Sequence, residues 1–396
     1  MAKWLEKTLG EVTAFIAKGI PPKYTEKESE KTIRVLNQKC NRNFEISYNE
    51  SRIHDCEKKK VPVDKILRAG DVLINSTGTG TAGRVAQMVE VTVPTTIDGH
   101  MILIRPSEEL DPIYYGYAVK SFQSQIEGLA EGSTGQTEIN RRRLQDEVII
   151  RYPSDKLVQK NIGRFLANID EKIKTNKEIN RNLSEQASAY YENWKMSLIG
   201  EAVELSKVID VRDGTHASPK PQDEGYPLVT SKHLFEYDVD LESPNKISQD
   251  DYDKTNERSK VEYHDVLMSM IGTVGVVSFI SRQEINFAIK NVALFRTSQR
   301  EELAYYVLLF LKSKDTKQYI KSCMAGSTQQ YISLTELRKI PIIVPGEEIK
   351  EFNLVIKPII DMICANVIEN RRLSELRDTL LPKLMSGELD VSDLDI

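Results

Sequence analysis

Two stretches of the chain place apolar side chains at alternating steps of four and three residues. Between 157 and 199 these positions are Ile162, Leu166, Ile169, Ile173, Leu183, Ala187, Tyr190 and Trp194, with Asn176 and Asn180 filling the gap. Between 347 and 385 they are Ile349, Phe352, Ile356, Ile359, Ile363, Asn366, Asn370, Leu373, Arg377, Leu380 and Leu384. This alternation is the seam of a coiled coil and predicts two long helices. A helix from about 159 to 199 spans roughly 60 Å at 1.5 Å per residue. Asparagine in such a seam lowers stability but sets register, because a slipped pairing leaves a buried amide without a partner. If the helices run antiparallel about a pseudo-two-fold axis, Ile169, Ile173, Asn176, Asn180 and Leu183 pair with Ile359, Ile363, Asn366, Asn370 and Leu373. The alternative is that the asparagines face solvent at a frayed seam. Pro358 lacks a backbone N–H, so a kink is expected there, or a helix that begins at that point.

The remaining chain has a different texture. Residues 1–153 and 200–346 are rich in Val, Ile, Thr, Gly and Pro. They carry short apolar runs such as Val72-Leu73-Ile74, Met101-Ile102-Leu103-Ile104, Val148-Ile149-Ile150 and Gly275-Val276-Val277-Ser278-Phe279-Ile280. Runs of this length bounded by Gly and Pro read as strands, with a helix near Ala304–Lys312. The expected class is α/β or α+β.

The two halves also resemble each other. Asp71-Val72-Leu73 with Gly78-Thr79 recurs as Asp265-Val266-Leu267 with Gly272-Thr273, 194 residues later. Gly132-Ser133-Thr134 with Gln136 recurs as Gly326-Ser327-Thr328 with Gln330 at the same offset. Leu9 and Val12 match Leu205 and Val208 at 196, while Asn176, Asn180 and Leu183 match Asn366, Asn370 and Leu373 at 190. Leu144, Ile149, Ile150 and Pro153 match Leu337, Ile342, Ile343 and Pro345 in between. One order with a slowly drifting offset points to duplication. The expected organisation is a globule over 1–153, a helix over 154–199, a second globule over 200–346, and a helix with a tail over 347–396.

Composition narrows the reading. No apolar run approaches the length needed to cross a bilayer, and the first seven residues lack the apolar core of a secretion signal. Cys40, Cys56, Cys323 and Cys364 are too scattered for a disulfide scaffold, which favours a reducing cytoplasm. Net charge is −5 overall, distributed as +1, +2, −3 and −5 over the four segments in chain order. A chain that grips nucleic acid alone usually carries more cation.

The order of blocks resembles the specificity subunit of type I restriction–modification enzymes over essentially the full length. Those blocks are a strand with a Gly-Thr loop, a Gly-Ser-Thr loop, Ile149-Ile150 with Pro153, Ile169-Asp170-Glu171-Lys172-Ile173 and Asn180-Arg181-Asn182-Leu183. The segment Leu376-Arg377-Asp378-Thr379-Leu380-Leu381-Pro382-Lys383-Leu384-Met385-Ser386-Gly387-Glu388-Leu389 adds to it, as does Asp213-Gly214-Thr215-His216 followed by Tyr226-Pro227-Leu228-Val229. The resemblance implies two target-recognition domains, each reading one half of a split, asymmetric sequence in double-stranded DNA, separated by a long antiparallel two-helix coiled coil. It implies helices that set the spacer and dock two methyltransferase subunits, with two restriction subunits in the full complex. It implies no catalysis by this chain and no cofactor.

Residues able to read base edges cluster in predicted loops. In the first half they are Lys23, Tyr24, Asn37, Gln38, Lys39, Arg42, Ser76, Thr77, Thr79 and Arg84. In the second they are Thr215, His216, Ser231, Lys232, His233, Ser269 and Thr273. For each, solvated loop surface is the alternative. Arg141 opens the densest basic run, Arg141-Arg142-Arg143, which grips phosphate or covers the outer face of a short helix. Gly78-Thr79-Gly80 with Gly83 lacks the Lys-Ser/Thr ending of a phosphate loop. Cys40, His54 and Cys56 lack a fourth metal ligand at paired spacing, so no metal site is expected. The competing classes are a methyltransferase or nuclease acting by itself, and a scaffold whose helices bind proteins and whose globules never meet DNA.

Overall fold

The computed structural model describes residues 3–132, 137–326 and 330–389, so Ser133, Thr134, Gln136, Ser327 and Thr328 of the repeated Gly-Ser-Thr loops lie outside the described residues. Two compact units divide the chain: Met1–Lys172 with Leu373–Ile396, and Ile173–Arg372. Each long helix therefore contributes one part to each unit.

In the first unit, four antiparallel strands lie in the order Thr13–Lys18, Met101–Pro106, Val72–Asn75 and Val85–Gln87. Successive residues of a strand point to opposite faces. Val72 and Ile74 accordingly join one core with Tyr114, Tyr115 and Val119 of the helix Pro112–Ser121, while Leu73 and Leu103 join another with Leu36 and Ile97. Both faces are covered, which is why Val72–Asn75 is buried at every position and reads as a continuous apolar run. The second core lies against Thr32–Leu36, which pairs in parallel with Thr95–Ile97 and antiparallel with Arg52–Asp55. Trp4–Thr8 pairs with Ile149–Pro153 at the start of the long helix.

The second unit repeats this plan. Its strand order is Val211–Asp213, Val292–Phe295, Val266–Ser269, Val277–Phe279. Tyr226–Val229 pairs in parallel with Ala288–Ile289, and Val203–Glu204 closes against Pro341–Ile342. Even the tight spots match. A Cβ on Gly19 would run into the Asp98 carbonyl, and one on Gly214 into the Ile289 carbonyl. Asn140 caps the helix Arg141–Glu147, and Ser333 caps its counterpart Leu334–Arg338. The α+β class and the duplication stand.

The long helices are Lys156–Trp194 and Ile349–Ser386. They run antiparallel within each unit. In the second, Asn176 Nδ2 donates to Asn370 Oδ1 at 3.0 Å and to Glu369 at 2.6 Å. Asn366 Nδ2 donates to Asn180 Oδ1 at 2.8 Å, and Asn180 Nδ2 to the Ile363 carbonyl at 3.2 Å. Leu183, Ala187 and Tyr191 pack with Phe352, Ile356, Ile360 and Ile363. In the first unit Ile162 and Leu166 pack with Leu381, Leu384 and Met385, and Ile169 is also buried. Arg377 pairs with Asp170, whose carboxylate also accepts from the Tyr117 hydroxyl at 2.6 Å. Ile173 is buried and Leu373 half-buried.

Three expectations need correction. The second helix does not begin at Pro358 but at Ile349. Pro358 lies on the exposed side near Leu354, so the carbonyl it leaves unpaired is open to solvent. The expected seam position Ile359 is half-buried and Ile360 is the core residue; likewise Tyr191 replaces Tyr190. A straight α-helix has 3.6 residues per turn, so a strict four-three count drifts off the buried face. Finally, the first helix stops at Trp194 and tightens into a 3-10 turn, Lys195–Ser197, rather than reaching 199.

Candidate nucleic-acid interface

In each unit the same four segments gather at one end of the four-stranded sheet. In the first they are the turn after Lys18, the 3-10 turn Gln38–Cys40, the loop after Asn75, and the turn Asp98–His100. Asn37 caps the 3-10 turn: its Oδ1 accepts from the Lys39 N–H at 2.9 Å and its Nδ2 donates to the Glu50 carbonyl at 2.6 Å. The Gln38 carbonyl accepts from Asn75 Nδ2 at 3.1 Å, and its Oε1 accepts from the Thr81 hydroxyl at 3.3 Å. Gly78 sits at φ +111°, where a Cβ would meet Thr81 and Gln38, so this crossing of loops needs glycine. Thr77 and His100 Nδ1 share a hydrogen bond at 2.9 Å, and the Ser76 N–H donates to the His100 carbonyl. Arg84 donates to the Gly80 carbonyl at 3.0 Å, which folds the loop back on itself.

The second unit builds the same place from different chemistry. Thr230 caps the 3-10 turn Ser231–His233 and its N–H donates to His233 Nδ1 at 3.0 Å. The Ser231 hydroxyl donates to the Asn291 carbonyl at 3.3 Å. His216 bridges Asn291 at 2.7 Å and Asp213 at 2.9 Å. Ser269 Oγ donates to the Thr273 carbonyl at 2.5 Å and accepts from the Val276 N–H at 2.8 Å. A cavity of about 550 Å³ opens between these segments, bordered by Ser231, Lys232, Gly272, Thr273 and Asn291.

Several of the expected residues come together on these surfaces: Asn37, Gln38, Lys39, Thr77, Thr79 and Arg84 on one, and Thr215, His216, Ser231, Lys232 and Thr273 on the other. Lys23 and Arg42 are exposed. Tyr24 lies under the Arg52 guanidinium, 3.4 Å from its ring centre, and burial pushes its hydroxyl pKa up. Arg141 is exposed on the first turn of its helix, whose Arg142 and Arg143 pair with Asp146, Glu147 and Glu131. Three candidates are corrected: Ser76, His233 and Ser269 have at most 3% of their surface exposed, so their side chains support the loops rather than face outward. Ser269 ends a strand buried at every position, Ser76 directly follows another, and the capping bond turns the histidine inward. Burial also lowers the His233 pKa. His54 uses Nδ1 to accept from the Lys23 N–H and Nε2 against the Lys59 carbonyl. Burial holds the Cys40 thiol pKa up.

Sequence reasoning missed His100 and Asn291, which occupy the matching turn in both units. The available signal was a short polar turn between two strand-like runs, Asp98-Gly99-His100 in one half and Lys290-Asn291 in the other.

The family model for the type I restriction modification DNA specificity domain matches twice, at residues 1–185 and 191–376. The chain belongs to this family. It is similar to the type I restriction enzyme MjaIX specificity subunit of Methanocaldococcus jannaschii, with 27% identity over 311 residues, 71% of this chain and 69% of the relative. It is also similar to the HindI specificity subunit of Haemophilus influenzae, with 34% identity over 131 residues, 31% of this chain and 27% of that protein. The crystal structure of a type I restriction–modification S subunit from M. genitalium shares the fold, with a TM-score of 0.56 at 18% identity, covering 97% of this chain and 96% of the other. Among the described residues no helix is long and apolar enough to cross a membrane.

Proposed function

We propose that this member of the specificity family acts as the sequence-reading subunit of a type I restriction–modification complex and carries no catalytic step itself. Residues 1–153 and 200–346 are its two target-recognition domains, each reading one half of a split DNA sequence. Residues 154–199 and 347–396, the latter with a tail, carry the spacer helices Lys156–Trp194 and Ile349–Ser386, which set the length of the unread stretch and dock two modification subunits, with two restriction subunits in the complete assembly. It works in the cytoplasm. One observation carries this reading: the same four-segment surface occurs in both units with different side chains, Gln38 and His100 in one against Ser231 and Asn291 in the other. Two non-identical reading heads imply an asymmetric target, unlike that of a symmetric dimer. The slight negative charge fits a subunit that supplies base contacts while basic partners supply phosphate attraction.

The test is domain exchange read by methylome sequencing. Replacing residues 1–153 with the domain of a relative changes one half of the methylated sequence and leaves the other intact. Inserting one heptad into 157–199 changes only the unread spacer. Altered bases in both halves after either edit, or methylation by this chain without partners, would refute the proposal.

A further inference from the structure

Beside the base-facing cavity of the second unit lies a second one of about 480 Å³, bordered among others by Ser218, Lys220, Lys232, His233, Asn245 and Lys290. Its lining contains three ammonium groups and no carboxylate. Lys290 donates to the Ser218 hydroxyl at 2.7 Å, while Lys220 and Lys232 have no ion-pair or hydrogen-bond partner among the described residues. His233 Nδ1 is committed as an acceptor to the Thr230 N–H, so in the neutral ring Nε2 carries the proton. That Nε2 has no partner, although the residue is only 3% exposed. Buried donors without acceptors are uncommon. Three cations around one space call for an oxyanion of phosphate type, and the His233 N–H is enclosed behind that lining rather than open to it.

Among the described residues the first unit has Lys39 at the place of Lys232 but differs at the place of Lys290. Ile20 bridges Asp98 where Thr215 bridges Lys290, and the Asp98 N–H donates to Leu36 where the Lys290 N–H donates to Val229. A carboxylate thus occupies in one domain the place of an ammonium in the other.

We propose that the Lys220–Lys232–Lys290 cleft seats a backbone phosphate of bound DNA, next to the bases faced by Ser231, Thr273 and Asn291. This rests on the DNA-reading function above. Lys232 borders both cavities, so it joins the phosphate contact to the reading surface. The seat gives an otherwise acidic domain a local, sequence-independent hold.

The experiment uses the full chain assembled with its modification subunits, binding fluorescent duplex DNA between 50 and 200 mM salt. Each phosphate contact contributes about 0.9 to the slope of log K against log salt, a factor of roughly 3.5 over this range. Lys220→Met with Lys290→Met removes that one contact and therefore lowers the magnitude of the slope by about 0.9, weakening cognate and unrelated duplexes alike, whereas Lys290→Arg retains the wild-type slope. A duplex with neutral methylphosphonate linkages scanned across the site makes wild type and double variant alike at one position. Intact binding with unchanged slope in the double variant overturns the seat alone. So does saturable binding of a mononucleotide or inorganic phosphate that is lost in the variant while the DNA slope stays put. Absence of duplex binding by the wild-type complex overturns the underlying function and the seat together.

Discussion

Asn176 is 1% exposed and donates both to Asn370 and to the Glu369 carboxylate, which makes the seam of the second unit testable by subtraction. Asn176→Ala removes one amide–amide bond and one bond to a charged acceptor. The first contributes about 0.5–1.5 kcal/mol and the second about 1.5–3 kcal/mol. The higher helix propensity of alanine returns roughly 0.5 kcal/mol. The expected net loss is therefore ~2–3 kcal/mol. Asn366→Ala breaks a single bond between two half-buried residues and loses about 1 kcal/mol. Replacing Asn176 and Asn370 together by leucine substitutes an apolar layer for the amide pair, leaving stability neutral or raised. That double variant gives up the constraint on register. Urea unfolding followed by circular dichroism measures all three, and a native gel reports mispaired oligomers of the leucine variant. The reasoning fails if Asn176→Ala loses under 0.5 kcal/mol, if Asn366→Ala loses more than Asn176→Ala, or if the leucine pair destabilises by more than about 2 kcal/mol.

Two further outcomes come from the units themselves. Burial pulls the Lys120 ammonium down from 10.5 to about 8, and its Nζ has no hydrogen-bond partner, lying 4.3 Å from the Phe44 ring centre. Its folded pKa is below the unfolded one, so the unfolded chain binds more protons between pH 8 and 10.5 and stability rises with pH there, by ~3 kcal/mol at most. Lys120→Met flattens this rise; urea midpoints at pH 7.5 and 9.5, compared between variant and wild type, decide it, and equal slopes would count against the burial. Gly214→Ala and Gly19→Ala each force a methyl group into a backbone carbonyl of the neighbouring turn. Each loses more than about 2 kcal/mol, the scale of severe overpacking. Thermal unfolding checks this, and unchanged melting in either variant would show that the turn relaxes.

The sequence by itself determined the class, the duplication and the two heptad helices, because hydrophobic period, offset and composition are local properties that need no knowledge of partners. It also placed Asn176 and Asn370 in one seam, since an amide in an apolar stripe is visible without a structure. Only the tertiary structure decided which side of the stripe is fully buried, as the Ile359–Ile360 shift shows: helix pitch and the partner's surface select it. It alone separated Thr77, half-buried, from Ser76, fully buried, because both follow the end of the strand Val72–Asn75 and their exposure is set by distant segments such as the His100 turn. That His100, Asn291 and Lys290 join the candidate surface was likewise decided only by the fold, although the polar turn that carries them could be seen in the chain. They are brought beside Gln38 and Ser231 by strands far apart in sequence, and the chemistry of that surface exists only where those strands end.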